Sequence, residues 1–395
     1  MKKLLVISSA PAFFVDDAPY LDVKFVEGMY FYCAAWDGEV SCIVRKTDAS
    51  FPFGRVYPES SLPFRPVFKD RSTGIREQDI QGYDLVLCSG DNQDYLHIAR
   101  LCRKNSVKIV YIIEYIFETR VQTILLQRSR SLIKKLYSIG IASIAELRRR
   151  RAFRISDGLQ ANGFPAKNAY QPFNGNTLLY LDNRIRENMY ASIDDVIEKF
   201  ERVKSGSPLV LVHSGRLEPM KGSQDLVPIA KILHEKSVNF ELHIFGAGSL
   251  EKEIRLGIES LTLSGKVFFH GSVDFEKELV PFVRQNAHIF LCCHRQSDPS
   301  CSYLENMGCG VAIAGYDNRM WKALSKASDS GRTAPLGSPQ ALASLIAQMA
   351  SDPDEVFRMA QKAHAYSRAH SFEHEFHKRT QHLSDTLQPA STDIA

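Results

Sequence analysis

The chain has 395 residues, 44% apolar and 24% charged, an ordinary soluble balance at a length that favours two cores over one. A net charge of +4 is too small to mark a nucleic-acid binder by itself. No run reaches the roughly 20 apolar residues that span a bilayer, and the eight cysteines show no metal-ligand or redox spacing.

Lys2-Lys3 ahead of Leu4–Ile7 imitates the start of a secretory signal, but the run is short and Asp16 and Asp17 follow without a cleavage site. A buried first strand entering a site loop is the expectation. Further strands are predicted at Gly38–Val44, Asp84–Cys88 and Lys108–Ile113, after the first at Lys3–Ser8, with a helix over Asp94–Lys104 that turns Leu96, Ala99 and Leu101 inward. Strands that are continuously apolar and separated by helices imply a parallel sheet covered on both faces. Residues 46–80, rich in Pro, Phe and Ser, read as a long surface excursion.

In residues 128–154, Ile133, Leu136, Tyr137, Gly140, Ile141, Ile144 and Leu147 recur at helical spacing. Arg128, Arg130, Lys134, Lys135, the run Arg148–Arg151 and Arg154 surround them. Two readings stand: a core-facing helix with a solvated basic end, or a patch drawn to an anionic membrane surface. Nucleic acid is set aside, since no aromatic interleaving accompanies the basic run.

Past residue 165 the chain reads as irregular, and Ser205-Gly206-Ser207-Pro208 breaks it before a new strand. A helix over Ile193–Lys204 is expected to link two units. The second half then alternates: strands Leu209–His213, Phe240–Phe245, Val267–Phe269, His288–Cys292 and Val311–Ala314, with helices Ser223–His234, Leu250–Leu261, Glu276–Arg284, Ser302–Met307 and Pro339–Met349. This is a second doubly wound domain. The tail Asp352–Leu387 is helical, with Phe357, Met359, Ala360, Ala363 and Tyr366 on its packing side.

Ligands bind such sheets at the loops that follow the strands. Gly215 after the strand Leu209–His213 lets backbone approach a ligand, and Arg216 and Lys221 can grip phosphate oxygens. Gly222 is placed at the opening of a helix whose N–H groups favour an anion. Gly246 and Gly248 lie one strand unit on, and His270–Val273 supplies a third loop suited to a nucleobase. Ser300 and Cys301 precede Glu305, whose carboxylate can accept two hydrogen bonds from a ribose diol. Solvated cations and a carboxylate complementing a helix dipole are the plainer readings of the same residues.

Gly215-Arg216-Leu217-Glu218-Pro219-Met220-Lys221-Gly222, followed by Glu305-Asn306-Met307-Gly308-Cys309-Gly310, resembles the retaining nucleotide-sugar glycosyltransferases of GT-B fold, family 4. The match is close over residues 209–315 and loose before them. It implies an α/β chain of two Rossmann-like doubly wound domains facing an interdomain cleft, at residues 1–190 and 205–365, with residues 366–395 crossing back to the first. It assigns Arg216 and Lys221 to the donor diphosphate and Glu305 to the ribose. It departs where Ser297 replaces a second Glu, so Asp298 is the candidate contact to the transferred sugar, with His294 and backbone amides as the alternative; Arg295 is a further candidate.

On the acceptor side, Glu114 stands where the family carries His, either beside the acceptor as hydrogen-bond partner or base or paired with Arg120. Asp16, Asp17 and Asp91 are further acceptor-side candidates. The implied reaction is metal-independent transfer of a hexose-type sugar from a nucleoside diphosphate sugar, as co-substrate rather than cofactor, with retention. The expected acceptor is a glycan, lipid-linked in bacterial-type cell-surface polysaccharide synthesis, with the enzyme cytoplasmic and peripheral on the inner membrane face. A soluble small acceptor, or a weakly catalytic nucleotide-sugar binder, is the alternative.

Overall fold

The computed structural model describes residues 1–51, 54–127, 130–297 and 299–388. The chain divides into two compact units: Met1–Arg120 with Ser131–Tyr180 and Glu373–Ala395, and Val121–Arg130 with Leu181–Phe372.

The first unit runs β1 (Lys2–Val15), β2 (Ala18–Asp22), α1 (Val23–Ala35), β3 (Gly38–Lys46), β4 (Gly54–Val56), β5 (Arg65–Lys69), β6 (Leu85–Ser89), α2 (Ile98–Lys104) and β7 (Lys108–Ile113). After α3 (Phe117–Leu126), which from Val121 is counted with the second unit, it continues with α4 (Leu132–Ile155), β8 (Gly158–Asn162), α5 (Gly163–Tyr170) and β9 (Thr177–Tyr180). Pairing β5-β3-β1-β6-β7-β8-β9 is parallel throughout. Leu5, Val86, Ile109 and Leu159 on adjacent strands are buried, which is why these runs carry no polar alternation.

Several sequence expectations change here. The first strand does not end in a site loop at Ser8. It continues past an irregularity between Ile7 and Pro11 into an antiparallel hairpin with β2. Asp16 and Asp17 are the two hairpin residues, with φ of 47° and 62°, a left-handed turn that Asp tolerates and that suits the strand twist. Residues 46–80 are not a surface excursion. Arg65–Lys69 pairs in register with Ser41–Arg45, and Phe64, Ile75 and Ile80 are buried. Pro66 hid that strand from the sequence, and Pro is tolerated on an edge strand. Residues 158–162 and 177–180, short and partly polar, are strands as well.

The helix α4 reverses the core-facing reading of its stripe. Its buried residues are Ala145, Glu146, Arg149, Ala152 and Phe153. Ile133, Leu136, Tyr137, Ile144 and Leu147 are all exposed, Ile133 to 81%. Glu146 and Arg149 are buried as a pair at 2.7 Å, and Tyr170 donates to the same carboxylate at 3.1 Å. Arg149 Nε also donates to the Gly90 carbonyl at 2.8 Å, so the buried charges are hydrogen-bonded as well as paired.

The second unit holds α6 (Ile193–Lys204), β10 (Leu209–Ser214), α7 (Leu226–Glu235), β11 (Phe240–Phe245), α8 (Glu251–Ser260), β12 (Val267–Gly271) and α9 (Val280–Asn286). It continues with β13 (Ile289–Cys292), α10 (Ser302–Gly308), β14 (Ala312–Tyr316), α11 (Arg319–Ser328), β15 (Gly331–Ala334), α12 (Pro339–Ala350) and α13 (Pro353–Ala369). Its sheet is parallel in the order β12-β11-β10-β13-β14-β15. Leu211, Leu242, Ile289 and Ala312 form the centre of its core with Leu226 and Ile229 of α7 and Leu342 and Ile346 of α12. The helix α6, expected as a link, lies within this unit, capped at Ser192 by reciprocal hydrogen bonds with Asp195.

The last helix, α14 (Phe372–Leu387), belongs from Glu373 onward to the first unit. Arg379 Nε donates to Gln160 Oε1 at 3.0 Å, Gln160 Nε2 donates back to the Arg379 carbonyl at 2.9 Å, and Phe376 packs its ring on Tyr32. All eight cysteines are free, six of them buried, in keeping with packing roles. Both units are Rossmann-like α/β domains.

Candidate active site

At the carboxyl edge of the second sheet, the loops after β10, β11 and β12 are tied to one another. The Gly215 amide donates to the Phe245 carbonyl at 3.0 Å, Leu217 to Ala247 at 2.9 Å, and Gly246 to Gly271 at 2.7 Å. Glycine is required where these loops meet. A Cβ on Gly246, whose φ is +135°, would lie 1.9 Å from the Gly215 carbonyl oxygen, and one on Gly248 2.4 Å from that of Leu217. The Gly-x-Gly pair therefore packs one loop on the next. Gly215 itself, at φ +148°, faces open space.

Arg216 is exposed and Lys221 is buried. Gly222, in the left-handed conformation, closes one 3-10 turn over Pro219–Lys221 and opens the next over Ser223–Asp225, which runs directly into α7 at Leu226. A Cβ there would strike the Cys293 carbonyl at 1.9 Å, so Gly222 is what lets this loop pass against the one after β13. Glu218 fastens the loop from the other side, accepting from the Ser249 amide at 3.0 Å and its hydroxyl at 2.6 Å.

Two buried imidazoles lie near these cations. His213 places Nδ1 3.1 Å from the Leu291 carbonyl, which can only accept, so Nδ1 carries the proton and Nε2 is an acceptor. Burial, with the Lys221 charge, pulls its pKa down to about 4. Burial likewise lowers that of His294, helped by Lys221, His213 and Arg216. Both rings stay neutral at pH 7, leaving the positive charge of this edge to Arg216 and Lys221. With 1% exposure, His294 offers no open face for a sugar.

The next loop, after β13, carries Glu305 in the first turn of α10. Its carboxylate is mostly buried and lies 3.8 Å from the Arg184 guanidinium, which stacks over Phe275. At seven residues α10 has a short dipole, so its position rests on side-chain anchors. Buried Lys199 donates to the Cys309 carbonyl at 2.8 Å where the helix ends, and burial brings its pKa down to about 7. Asn306 donates to the Ser302 carbonyl at 2.7 Å. The Ser300 and Ser302 hydroxyls are 2.8 Å apart, and the Cys301 thiol donates to Asp182 at 3.1 Å.

Ser297, at the expected second-Glu position, is buried and accepts from the Arg319 amide, the first of α11, at 3.1 Å. Asp298 lies outside the described residues, as does Arg128. Arg295 is committed elsewhere: its guanidinium donates to both oxygens of buried Asp225 at 2.9 and 2.8 Å, and Tyr316 donates to the same carboxylate at 3.0 Å.

In the first unit, Asp91 is a clamp. It accepts from the Glu114 and Tyr115 amides at 2.9 and 3.1 Å and from Arg120 at 2.5 Å. Burial pushes its carboxyl up, and Arg120 and the two amides oppose the shift. Arg120 thus pairs with Asp91, not with Glu114 as the structural alternative had it. Glu114, half-buried at the end of β7, accepts from Asn162 Nδ2 at 3.2 Å. Asp16 and Asp17 stand at the exposed hairpin tip. Sequence reasoning missed Arg184, Lys199 and Asp225. Arg184 sits in irregular chain with no periodicity to flag it, and Lys199 and Asp225 read as surface charges.

Residues 195–367, within the second unit, match the family model for glycosyl transferases group 1, and the chain is a glycosyltransferase. No curated protein matches the sequence. Among solved structures, HepE of Anabaena in complex with UDP is similar at TM-score 0.66 and 16% identity, over 98% of this chain and 99% of that one. Sucrose-phosphate synthase of Thermosynechococcus elongatus is similar at TM-score 0.68 and 15% identity, over the same shares. WaaG, a glycosyltransferase involved in lipopolysaccharide biosynthesis, is similar at 0.61 and 11%, over 96% of this chain and 98% of that one. At these identities the likeness establishes the fold, that of the two-domain GT-B glycosyltransferases.

Proposed function

We propose that this glycosyltransferase takes a hexose-type sugar from a nucleoside diphosphate sugar, UDP-linked, and transfers it with retention to a lipid-linked glycan. The observation that carries the donor half is the placement of Arg216, Lys221 and Glu305 on the loops after adjacent parallel strands β10 and β13. Arg216 and Lys221 neutralise the departing diphosphate, and no metal is needed for that charge. Glu305 accepts from the ribose diol. The complexes of HepE with UDP and with UDP-glucose support a uridine donor.

In the retaining step, the acceptor oxygen bonds to the anomeric carbon on the face from which the diphosphate oxygen leaves. The acceptor proton passes to that leaving oxygen, so no pair of catalytic carboxylates is required. Glu114 serves on the acceptor side by orienting the hydroxyl.

A lipid-linked acceptor and a cytoplasmic enzyme peripheral to the membrane are supported by α4. Tyr137, Ile141, Ile144, Arg148 and Arg151, at spacings of three and four, share one face, and all five are exposed. An apolar stripe that runs into arginines suits an anionic bilayer surface. No described helix is long and apolar enough to cross a membrane.

The test is a thermal-shift panel of UDP-, GDP- and ADP-linked sugars followed by mass spectrometry of transfer products. A UDP-sugar is expected to raise the melting temperature and R216A to reduce the shift. Stabilisation by no nucleotide sugar would overturn the reading.

A further inference from the structure

We propose, taking glycosyl transfer as the reaction, that a cavity in the first unit holds an oxyanion of the acceptor, a phosphate or a carboxylate. The cavity has a volume of about 390 Å³, the size of a small-ligand pocket. It opens at the carboxyl ends of β3, β5 and β6 and at the irregularity in β1 between Ile7 and Pro11, where the parallel order turns from β3 on one side of β1 to β6 on the other. Ligands favour that point in a doubly wound sheet.

Its lining is cationic, where the sequence pointed to acceptor-side carboxylates. Arg45 and Lys46 come from the end of β3 and Arg71 from just past β5, against the single carboxylate of Asp94. Arg45 is the built member. Its guanidinium donates to the carbonyls of Asp70, at 3.1 Å, and Thr73, and lies 5.9 Å from the centre of the Tyr95 ring. Those partners orient the charge without neutralising it. Lys46 meets Asp70 only in an exposed contact at 3.8 Å, a weak pair. Arg71 makes no hydrogen bond or ion pair among the described residues and is exposed at the rim. Ser9, Thr47 and Asn92 add polar side chains to the same wall. A guanidinium fork, an ammonium and hydroxyl groups form a set that suits phosphate or carboxylate oxygens.

The test is hydrogen–deuterium exchange of the full chain, with pyrophosphate and glucuronate as separate probes. Protection is expected over residues 8–12, 44–48 and 90–95, with half-protection moved at least about tenfold higher in K46Q/R71Q. Both substituted residues are exposed, and an unchanged melting temperature checks the fold. Stronger protection by pyrophosphate assigns a phosphate; stronger protection by glucuronate assigns a carboxylate. Residues 214–222 report the donor loop separately. With pyrophosphate, protection there alone would overturn the cavity and leave the donor reading standing, while protection at the cavity alone would do the reverse. Absence of protection at the cavity with both probes, or protection unchanged in K46Q/R71Q, overturns the inference.

Discussion

Gly246→Ala tests the loop packing that presents Arg216. The added Cβ would lie 1.9 Å from the Gly215 carbonyl oxygen, so the two loops must separate by about 1.5 Å to reach an ordinary contact near 3.4 Å. At φ +135° an alanine also carries backbone strain of about 1–3 kcal/mol. Separation stretches the Gly215–Phe245 and Leu217–Ala247 hydrogen bonds, now 3.0 and 2.9 Å, each contributing about 1 kcal/mol net. The sum is about 3–5 kcal/mol, or a melting shift of roughly 6–20 °C for a unit of this size. Scanning calorimetry measures the shift and isothermal titration with UDP the accompanying loss of affinity. Gly265→Ala, with nothing within 4 Å of its Cβ, is the control and should stay within about 0.5 kcal/mol. A Gly246→Ala protein that melts with the wild type and binds UDP equally well would refute the packing.

Asp225→Ala leaves Tyr316 and the half-buried Arg295 without their shared carboxylate, and should destabilise by about 1–3 kcal/mol in thermal melts. Arg295→Gln should lower stability while UDP affinity stays within about threefold, whereas a larger loss of affinity would return Arg295 to the donor site. Burial holds His213 and His288 neutral, with pKa values of about 4 against 6.5 in the unfolded chain. The unfolded state therefore takes up these protons first as pH falls, so their contribution is full above pH 6.5 and lost towards pH 4. That loss is at most about 3 kcal/mol per ring. His213→Phe should flatten the fall in melting temperature across this window, and an unchanged slope would contradict a neutral buried ring.

The second sheet was legible because Leu209–His213 and Phe240–Phe245 are continuous apolar runs, as strands buried on both faces must be. The strand Gly331–Ala334 was not, since Gly-Arg-Thr-Ala has no apolar run and draws its place from pairing with β14. Residues 158–162 escaped for a similar reason, with Gln160 and Asn162 buried through partners distant in sequence. In α4 the period was legible and the face was not. Periodicity marks a stripe but not what covers it, and the covered face here is built on Glu146 and Arg149 rather than on leucines. At the site, spacing alone left Arg216, Lys221 and Glu305 open to plainer readings, and their donor roles came from the resemblance to the family motifs. The roles of Gly246, Gly248 and Gly222 depend on which loops touch, and the cationic cavity of the first unit on which strand segments converge. Neither is encoded in local spacing.

Isothermal titration with UDP and with 2′,3′-dideoxy-UDP, on wild type, R216A and E305A, tests the donor assignment most directly. R216A should weaken both nucleotides by about 10- to 100-fold, the value of a charge-assisted phosphate contact. E305A should weaken UDP similarly and leave the dideoxy nucleotide unchanged, because the diol that Glu305 would hold is absent. Equal losses on both nucleotides in E305A, or no loss in R216A, would contradict a diphosphate clamp at Arg216 and a ribose anchor at Glu305.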